Sequence, residues 1–186
     1  MHKFTMPAMI LAVGLAACGS PAPEETADET TMDAATPTAT PMQAIATLQT
    51  AEGDTAGSAT ATGDGGLVTI SLSAESLPPG EHGVHIHMTG TCEAPTFESA
   101  GEHWNPTNQR HGLEGEPGQH AGDMPNLTVA ADGTGTLEHS LVGGTFEGLL
   151  DADGSAFVVH AMPDDQTTDP SGNSGDRIAC GVFNAS

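Results

Sequence analysis

Residues 80–87 read GEHGVHIH and contain three of the nine histidines of the chain. From position 84 onward apolar residues alternate with His85 and His87, which is the two-residue period of a half-buried β-strand. Side chains two residues apart share one face of a strand, so His85 and His87 project together and can hold one metal ion. His82 has the opposite parity and points away from the pair. Taken alone, the pattern also fits two solvated histidines on a surface strand.

A second group of metal-ligand residue types follows in residues 89–126, which show no regular alternation. This group consists of His103, His111, His120 and Asp123. Three imidazoles and one carboxylate match the tetrahedral nitrogen and oxygen coordination that zinc prefers. Ordering an irregular segment of this length costs conformational entropy, and a bound metal would offset that cost. The alternative, polar loop residues without a common role, fits poorly with four ligand types inside 21 positions.

Several short segments after residue 42 have the composition and alternation of β-strands, with turn residues between them. These segments are 45–48, 67–72, 84–88, 127–129, 134–141, 156–159 and 178–183. Short strands at such spacings predict an all-β antiparallel sandwich or barrel. Residues 89–126 and 162–176 do not fit strands, and loops of this length in a compact domain are usually functional or disordered.

The charge balance excludes whole classes of function. The 186 residues contain 25 Asp and Glu against 3 Lys and Arg, a formal net charge of −22. Such a chain lacks the bases that neutralise phosphates, so nucleic-acid binding is excluded. Electrostatic docking on an anionic membrane is disfavoured for the same reason. At this length one folded domain is expected.

The N-terminal part resembles an export signal. Residues 1–17 combine a short basic start with an apolar run that is too short to span a bilayer. The run ends in Leu-Ala-Ala-Cys18, which resembles the lipobox of bacterial lipoproteins and implies cleavage before Cys18 and its lipidation. The alternative is an ordinary cleaved signal with Cys18 nearby by accident. Residues 18–42 are acidic and rich in Pro, Thr and Ala, so they predict a disordered tether to a domain at 43–186.

Three cysteines are an odd number for an exported protein. If Cys18 carries lipid, Cys92 and Cys180 remain for one disulfide in an oxidising compartment. The predicted location is therefore the cell envelope or periplasm, with the protein anchored to a membrane only through its N-terminal lipid.

Two further motifs complete the set, FVVH at 157–160 and GDRIACG at 175–181. Together with the two histidine groups, and in this order, they resemble the copper,zinc superoxide dismutases over about residues 43–186, the bacterial exported members most closely. The resemblance implies a Greek-key β-sandwich or flattened barrel of about eight antiparallel strands with two long functional loops. It also implies copper and zinc as cofactors.

The resemblance implies a role for each motif residue. The copper ligands would be His85, His87, His103 and His160. The zinc ligands would be His103, His111, His120 and Asp123. His103 would thus bridge the two metals as an imidazolate and take part in catalysis.

Residues outside the two ligand sets also receive roles from the resemblance. Arg177 would guide the anionic substrate beside copper, and Cys92 and Cys180 would form the disulfide. Asp164 would link a copper histidine to a zinc histidine, although the adjacent Asp165 offers the same group.

The implied activity is disproportionation of superoxide to dioxygen and hydrogen peroxide, as antioxidant defence in the cell envelope. A non-catalytic copper/zinc binding or delivery protein on the same fold is the alternative. A missing copper ligand or a missing arginine would indicate it, and the sequence has all of them. The loop 162–176 contains no Lys, unlike many family members, so weaker attraction of superoxide is expected. The oligomeric state stays open, with a homodimer as one option.

Overall fold

The computed structural model describes residues 41–114 and 118–186. The predicted signal peptide (1–17), the predicted lipidation at Cys18 and nearly all of the predicted tether (18–42) lie outside these residues. The first strand begins at Met42, the last residue assigned to that tether. Within the described residues, no helix has the length and apolar character needed to cross a membrane.

The described residues form nine strands, one 3-10 turn at Glu98–Ala100 and one short helix, α1, at Phe146–Leu149. The strands are β1 (Met42–Thr50), β2 (Thr55–Asp64), β3 (Leu67–Ala74), β4 (Gly80–His82), β5 (Val84–His87), β6 (Leu127–Val129), β7 (Gly135–Ser140), β8 (Ala156–His160) and β9 (Arg177–Ala185).

Seven strands make one curled antiparallel sheet in the order β5-β8-β9-β1-β2-β3-β7. The remaining two, β4 and β6, pair with each other. Only Gly83 separates β4 from β5, and a tight turn joins β6 to β7, where the Ala130 N–H donates to the carbonyl of Thr134. Each strand of the small sheet therefore directly precedes one edge strand of the large sheet, β4 before β5 and β6 before β7. The predicted all-β antiparallel class is confirmed.

Alternation of side chains along the strands builds the core. On β3, Val68, Ile70 and Leu72 are buried, whereas Leu67 at the strand end is half exposed. β2 contributes Ala59 and Ala61, which are fully buried. β2 has no counterpart among the predicted strands, because its alternating pattern consists of Ala, Thr, Ser and Gly and contains no large apolar residue.

A second, smaller hydrophobic cluster lies on β8 and β9, apart from the main core. It contains Phe97, Ala100, Ala156, Val158 and Cys180. Cys92 and Cys180 are joined by a disulfide with 5.7 Å between their Cα atoms and 88 residues between them in sequence. This bridge confirms the predicted pairing and fastens the start of the long 88–126 segment to β9.

Candidate metal centre

Two neighbouring strands supply the first histidines. His85 and His87 lie on β5 with 0% and 1% of their surface exposed, and His160 ends β8 with 3% exposed. β5 and β8 pair antiparallel, and the His160 N–H donates to the carbonyl of Gly83. The pairing brings the end of β8 beside the start of β5.

The long segment 88–126 returns to β5 twice and delivers the other ligand candidates. The Trp104 N–H donates to the Ile86 carbonyl at 2.8 Å, and the Ile86 N–H donates to the Gly122 carbonyl at 3.0 Å. A Cβ at Gly122 would lie 2.3 Å from the Ile86 carbonyl oxygen, so this close approach requires glycine. His103 and Asp123 are the residues next to these contacts, and both are therefore placed against the strand.

His85, His87, His103 and His160 converge on one point. Each offers one ring nitrogen, and these nitrogens lie within 4.8 Å of one another. The Nε2 atoms of His87 and His160 are 3.4 Å apart. Among the described residues, nothing hydrogen-bonds to the buried His85 Nδ1 or His103 Nε2. A buried polar nitrogen without a partner is costly, and metal coordination would satisfy both atoms. Four imidazole nitrogens suit copper.

The other ring nitrogens of this group are used to orient the rings. His87 Nδ1 lies 2.9 Å from the carbonyl oxygen of Gly101, and His160 Nδ1 lies 3.3 Å from that of Gly175. A carbonyl oxygen only accepts, so each Nδ1 carries the proton and donates. The Nε2 lone pairs of His87 and His160 are therefore free to face the common point.

His103, His111, His120 and Asp123 form a second group, all buried. The Nδ1 atoms of His103, His111 and His120 lie 3.0, 3.0 and 3.4 Å from Asp123 Oδ1. The Nδ1 atoms of His103 and His120 are 3.5 Å apart. Ligands about 2.0 Å from a tetrahedral zinc ion stand about 3.3 Å from one another. These spacings therefore fit zinc.

Backbone groups hold the Asp123 carboxylate in place. Its Oδ2 accepts from the Gly112 N–H at 2.8 Å and from the His120 N–H at 3.0 Å. The Oδ1 atom is left to face the three imidazoles. His103 belongs to both groups, with Nε2 toward the first and Nδ1 toward the second.

Asp164 lies between the two groups. Its Oδ2 is 2.5 Å from His85 Nε2, and its Oδ1 is 3.0 Å from His111 Nε2. The side chains of Asp164, His85 and His111 are fully buried. Asp165 is exposed, and its Oδ1 accepts from backbone N–H groups of the same loop. The structure thus places Asp164, and not its neighbour, between a histidine of each group.

Burial keeps the first group neutral. It lowers the pKa of His85, and it lowers the pKa of His87 well below its ordinary value. Burial, together with the nearby His85, lowers the pKa of both His103 and His160 to about 3. A neutral imidazole has a lone pair to give to a metal, whereas a protonated one has none. The first group is therefore ready to bind a cation at neutral pH.

The second group carries more negative charge. Burial opposes ionisation of Asp123, but hydrogen bonds from His103, His111 and His120 outweigh it and hold the Asp123 pKa well below its usual range. Burial likewise opposes protonation of His111, yet Asp123 and Asp164 raise the His111 pKa to about 9. Without a metal His111 is therefore protonated on both ring nitrogens at neutral pH. A divalent cation would replace the proton on Nδ1, which faces Asp123.

Arg177 starts β9 beside the first group. Its Nη1 donates to the Phe97 carbonyl and its Nη2 to the Gly101 carbonyl, both at 2.7 Å. Its positive charge contributes to lowering the pKa of His87 and His160. The guanidinium is half-buried and sits close enough to influence that group.

His82 lies outside both groups, as predicted, but it ends β4 in the small sheet and does not share a strand with His85 and His87. Its Nδ1 is 2.7 Å from the His160 carbonyl oxygen and its Nε2 is 2.8 Å from that of Pro78. Arg110 lies at the surface, where its Nε donates to Asp169 Oδ2 at 3.1 Å. Neither side chain joins the metal-ligand groups.

Asn126 contacts the site and was given no role by the sequence. Its amide makes two hydrogen bonds with the backbone of Asp164. The one available signal was a polar residue at the end of the long segment, directly before a strand, and many loop residues share that feature.

Residues 55–183 match the family model described as copper/zinc superoxide dismutase (SODC). The chain belongs to the copper/zinc superoxide dismutase family. Membership supports superoxide dismutase activity in general, and it implies copper and zinc as the cofactors that the two ligand groups fit.

Similar proteins in this family come from several bacteria. A superoxide dismutase-like protein of Bacillus subtilis (strain 168) is 40% identical over 199 positions, covering 98% of this chain and 96% of that protein. The Cu-Zn superoxide dismutase of Caulobacter vibrioides is 43% identical over 147 positions, covering 75% of this chain and 84% of that protein. The crystal structure of a SOD-like protein from Bacillus subtilis has a TM-score of 0.67 at 44% identity, covering 74% of this chain and 96% of that one.

Proposed function

We propose that the chain disproportionates superoxide at a copper ion joined through His103 to a zinc ion. The observation that carries this proposal is the double membership of His103. Its Nε2 faces three other histidines and its Nδ1 faces the Asp123 carboxylate of the second ligand group. One imidazole ring therefore spans both metal positions. An imidazole that binds two cations must lose both ring protons, which makes it an imidazolate.

The remaining ligands divide between the two metals. His85, through Nδ1, and His87 and His160, through Nε2, would hold copper. His111, His120 and Asp123 would hold zinc together with His103. When bound, copper supplies one-electron redox chemistry, and zinc, which has none, supplies positive charge and structural support.

His103 is the residue that couples electron and proton transfer. Two superoxide ions and two protons yield one dioxygen and one hydrogen peroxide, so each turnover must deliver two protons. His103 Nε2 would take up a proton in the first half-reaction, while Nδ1 keeps its contact with zinc. The same atom would give that proton to the departing peroxide in the second half-reaction, and solvent water would supply the second proton.

Arg177 would bind the anion. Both of its Nη atoms are committed to backbone carbonyls, so the guanidinium is held in one place beside His87. A fixed positive charge next to the redox site attracts superoxide and orients it.

Asp164 would support both metal groups from outside. Its carboxylate accepts from Nε2 of His85 and Nε2 of His111, which fixes the tautomer of each ring so that the Nδ1 lone pairs face the metals. Such acceptors behind ligating histidines typically change metal affinity by about 10- to 100-fold.

We also propose that the protein works outside the cytoplasm on a lipid anchor. Support comes from the signal-like residues 1–17, the Leu-Ala-Ala-Cys18 sequence and the disulfide, a bond typical of oxidising compartments. Labelling of the cells with a radioactive fatty acid should mark the wild-type chain and leave Cys18→Ser unlabelled. An unlabelled wild-type chain would refute the proposed lipid anchor.

A second candidate function is copper or zinc binding without catalysis. It is favoured by one observation, that a relative aligned with 98% of this chain is named only superoxide dismutase-like. Against it stand His85, His87, His103, His160 and Arg177, which are all present and brought together.

Metal-loaded protein assayed for superoxide loss separates the two functions. We expect activity in the wild type, and loss of nearly all of it in His85→Ala, because one copper ligand is removed. His139→Ala is the matched control, since His139 lies on β7 outside both ligand groups. Stoichiometric copper and zinc without measurable superoxide loss would favour the binding protein.

A further inference from the structure

Asp164 connects the first ligand group, which would hold copper, to the second, which would hold zinc. Its position therefore matters to both. It lies in the segment 161–176 between β8 and β9, which contains no strand. A carboxylate on a loop is held less firmly than one on a strand unless something fixes the loop backbone. Two residues earlier the segment is attached to the junction of β4 and β5, where the Gly83 N–H donates to the Met162 carbonyl at 2.8 Å.

Asn126 fixes the backbone of Asp164 itself. The Asp164 N–H donates to Asn126 Oδ1 at 2.8 Å, and the Asn126 Nδ2 donates to the Asp164 carbonyl at 2.9 Å. One side chain thus satisfies both backbone polar groups of Asp164. Two hydrogen bonds of this reciprocal kind restrict rotation as well as distance.

Asn126 is well placed to act as an anchor because it directly precedes β6. Its neighbour Leu127 is fully buried in the core and pairs with His82 on β4. The two Asn126 hydrogen bonds therefore hold the backbone of Asp164 against the start of β6.

The other contacts that orient the Asp164 carboxylate come from its own loop. The Gln166 N–H donates to Asp164 Oδ1 at 2.6 Å, and Gly172 approaches so closely that a Cβ there would lie 1.8 Å from the same oxygen. Gln166 also joins this loop to the 88–126 segment, because its carbonyl accepts from the Glu114 N–H and its side chain donates to the Met124 carbonyl, both at 3.3 Å. Among the described residues, only Asn126 holds the backbone N–H and carbonyl of Asp164 itself.

We infer that Asn126 is a positioning residue, which holds the Asp164 carboxylate between His85 and His111. It thereby keeps the histidines of both ligand groups in their metal-binding orientation. This inference rests on the proposed metal centre. Without Asn126 the loop backbone at Asp164 is released, and His111 loses a well-placed acceptor behind the zinc position. His85 on the copper side loses the same support.

Zinc affinity of copper-free protein is the sharpest readout, because it does not depend on turnover. It is measured by competition with a chromophoric chelator for the wild type, Asn126→Ala, Asp164→Ala and the double variant. We expect about tenfold weaker zinc binding in Asn126→Ala, the lower end of effects known for such supporting partners. In the Asp164→Ala background the second substitution should cause no further loss, because Asn126 acts through Asp164.

Cobalt(II) bound in place of zinc adds a spectroscopic check. Its visible absorption reports the ligand geometry, so Asn126→Ala should change the band positions or intensities. Asp165→Asn is the matched control, since Asp165 lies in the same loop, is exposed and contacts neither histidine. Its zinc affinity and cobalt spectrum should equal those of the wild type.

Two results would overturn the inference while leaving the metal centre intact. One is a wild-type zinc affinity in Asn126→Ala. The other is an equal loss of affinity with and without Asp164, which marks a purely structural role. A wild-type protein that binds no zinc would overturn the metal centre and the inference together. Should Asn126→Ala not fold, Asn126→Asp answers the same question, since it keeps an acceptor for the Asp164 N–H and loses the donor.

Discussion

His87 and Arg177 donate hydrogen bonds to the same acceptor, the carbonyl oxygen of Gly101, at 2.9 and 2.7 Å. The orientation of a copper-side imidazole and the position of the anion-binding guanidinium are therefore set by one backbone atom. Gly101 has φ +76°, a left-handed conformation that favours glycine, and lies two residues before His103. One short stretch of loop thus positions three functional side chains.

Arg177→Ala should lower the second-order rate with superoxide by roughly tenfold or more, because the fixed positive charge is lost. Arg177→Lys should recover part of the rate, since an ammonium keeps the charge but cannot reach two carbonyls with a planar fork. Stopped-flow decay of superoxide measures both. Copper and zinc contents should stay at wild-type levels, and an unchanged rate in Arg177→Ala would refute the assigned role.

Gly172→Ala should weaken zinc binding about tenfold, since the new Cβ would lie 1.8 Å from Asp164 Oδ1 and 2.7 Å from His111 Nε2. Gly53→Ala is the matched control, because Gly53 also has a positive φ but a Cβ added there would meet nothing within 4 Å. The control should lose only about 1 kcal/mol of unfolding free energy from backbone strain. Chelator competition and urea unfolding test the pair, and equal zinc affinities would contradict the prediction.

Much of the metal centre could be predicted because histidine is the commonest metal ligand and six of the nine histidines of the chain belong to the two ligand groups. Period two on β5 was enough to put His85 and His87 on one face. Sequence order alone could not say which of Asp164 and Asp165 points inward, because both are carboxylates in an irregular loop. The structure decides it through the backbone contacts of Asn126, which join positions 38 residues apart.

The fold was predictable where strands contain large apolar residues. Val68, Ile70 and Leu72 revealed β3, whereas β2 escaped detection although Ala59 and Ala61 are fully buried. Alanine and threonine differ too little in hydrophobicity to show alternation. Pairing with β1 and β3 on both sides, which is a tertiary effect, makes this segment a strand.

Metal-free protein should be most stable at about pH 6 to 7. His103 and His160 have pKa values lowered by burial to about 3, so below their ordinary value of 6.5 the unfolded chain takes up protons that the folded chain does not. Stability should therefore fall by roughly 3 kcal/mol between about pH 6.5 and pH 5. His111, with its pKa raised to about 9, acts in the opposite sense, since its contribution is complete below 6.5 and is lost as the pH rises toward 9.

Urea unfolding of chelator-treated protein across this range measures the effect. The carboxyl groups of Asp123 and Asp164 have lowered pKa values, so their contribution declines only in more acidic solution than the histidine range. Equal unfolding free energies at about pH 5 and 6.5 would contradict the prediction.

The reaction with superoxide should show little or no slowing when salt is added. Arg177 is half-buried beside the exposed Asp176, the segment 162–176 contains no Lys, and the whole chain has a formal charge of −22. Acids farther than the Debye length of about 10 Å at 0.1 M salt are largely screened, so they reduce attraction mainly at low salt. A rate that is flat or rises with ionic strength is expected. At low salt Asp176→Asn should raise the rate more than Glu138→Gln, which removes a distant charge on the exposed face of β7. A wild-type rate that falls steeply with salt would show strong net attraction and contradict this account of the site.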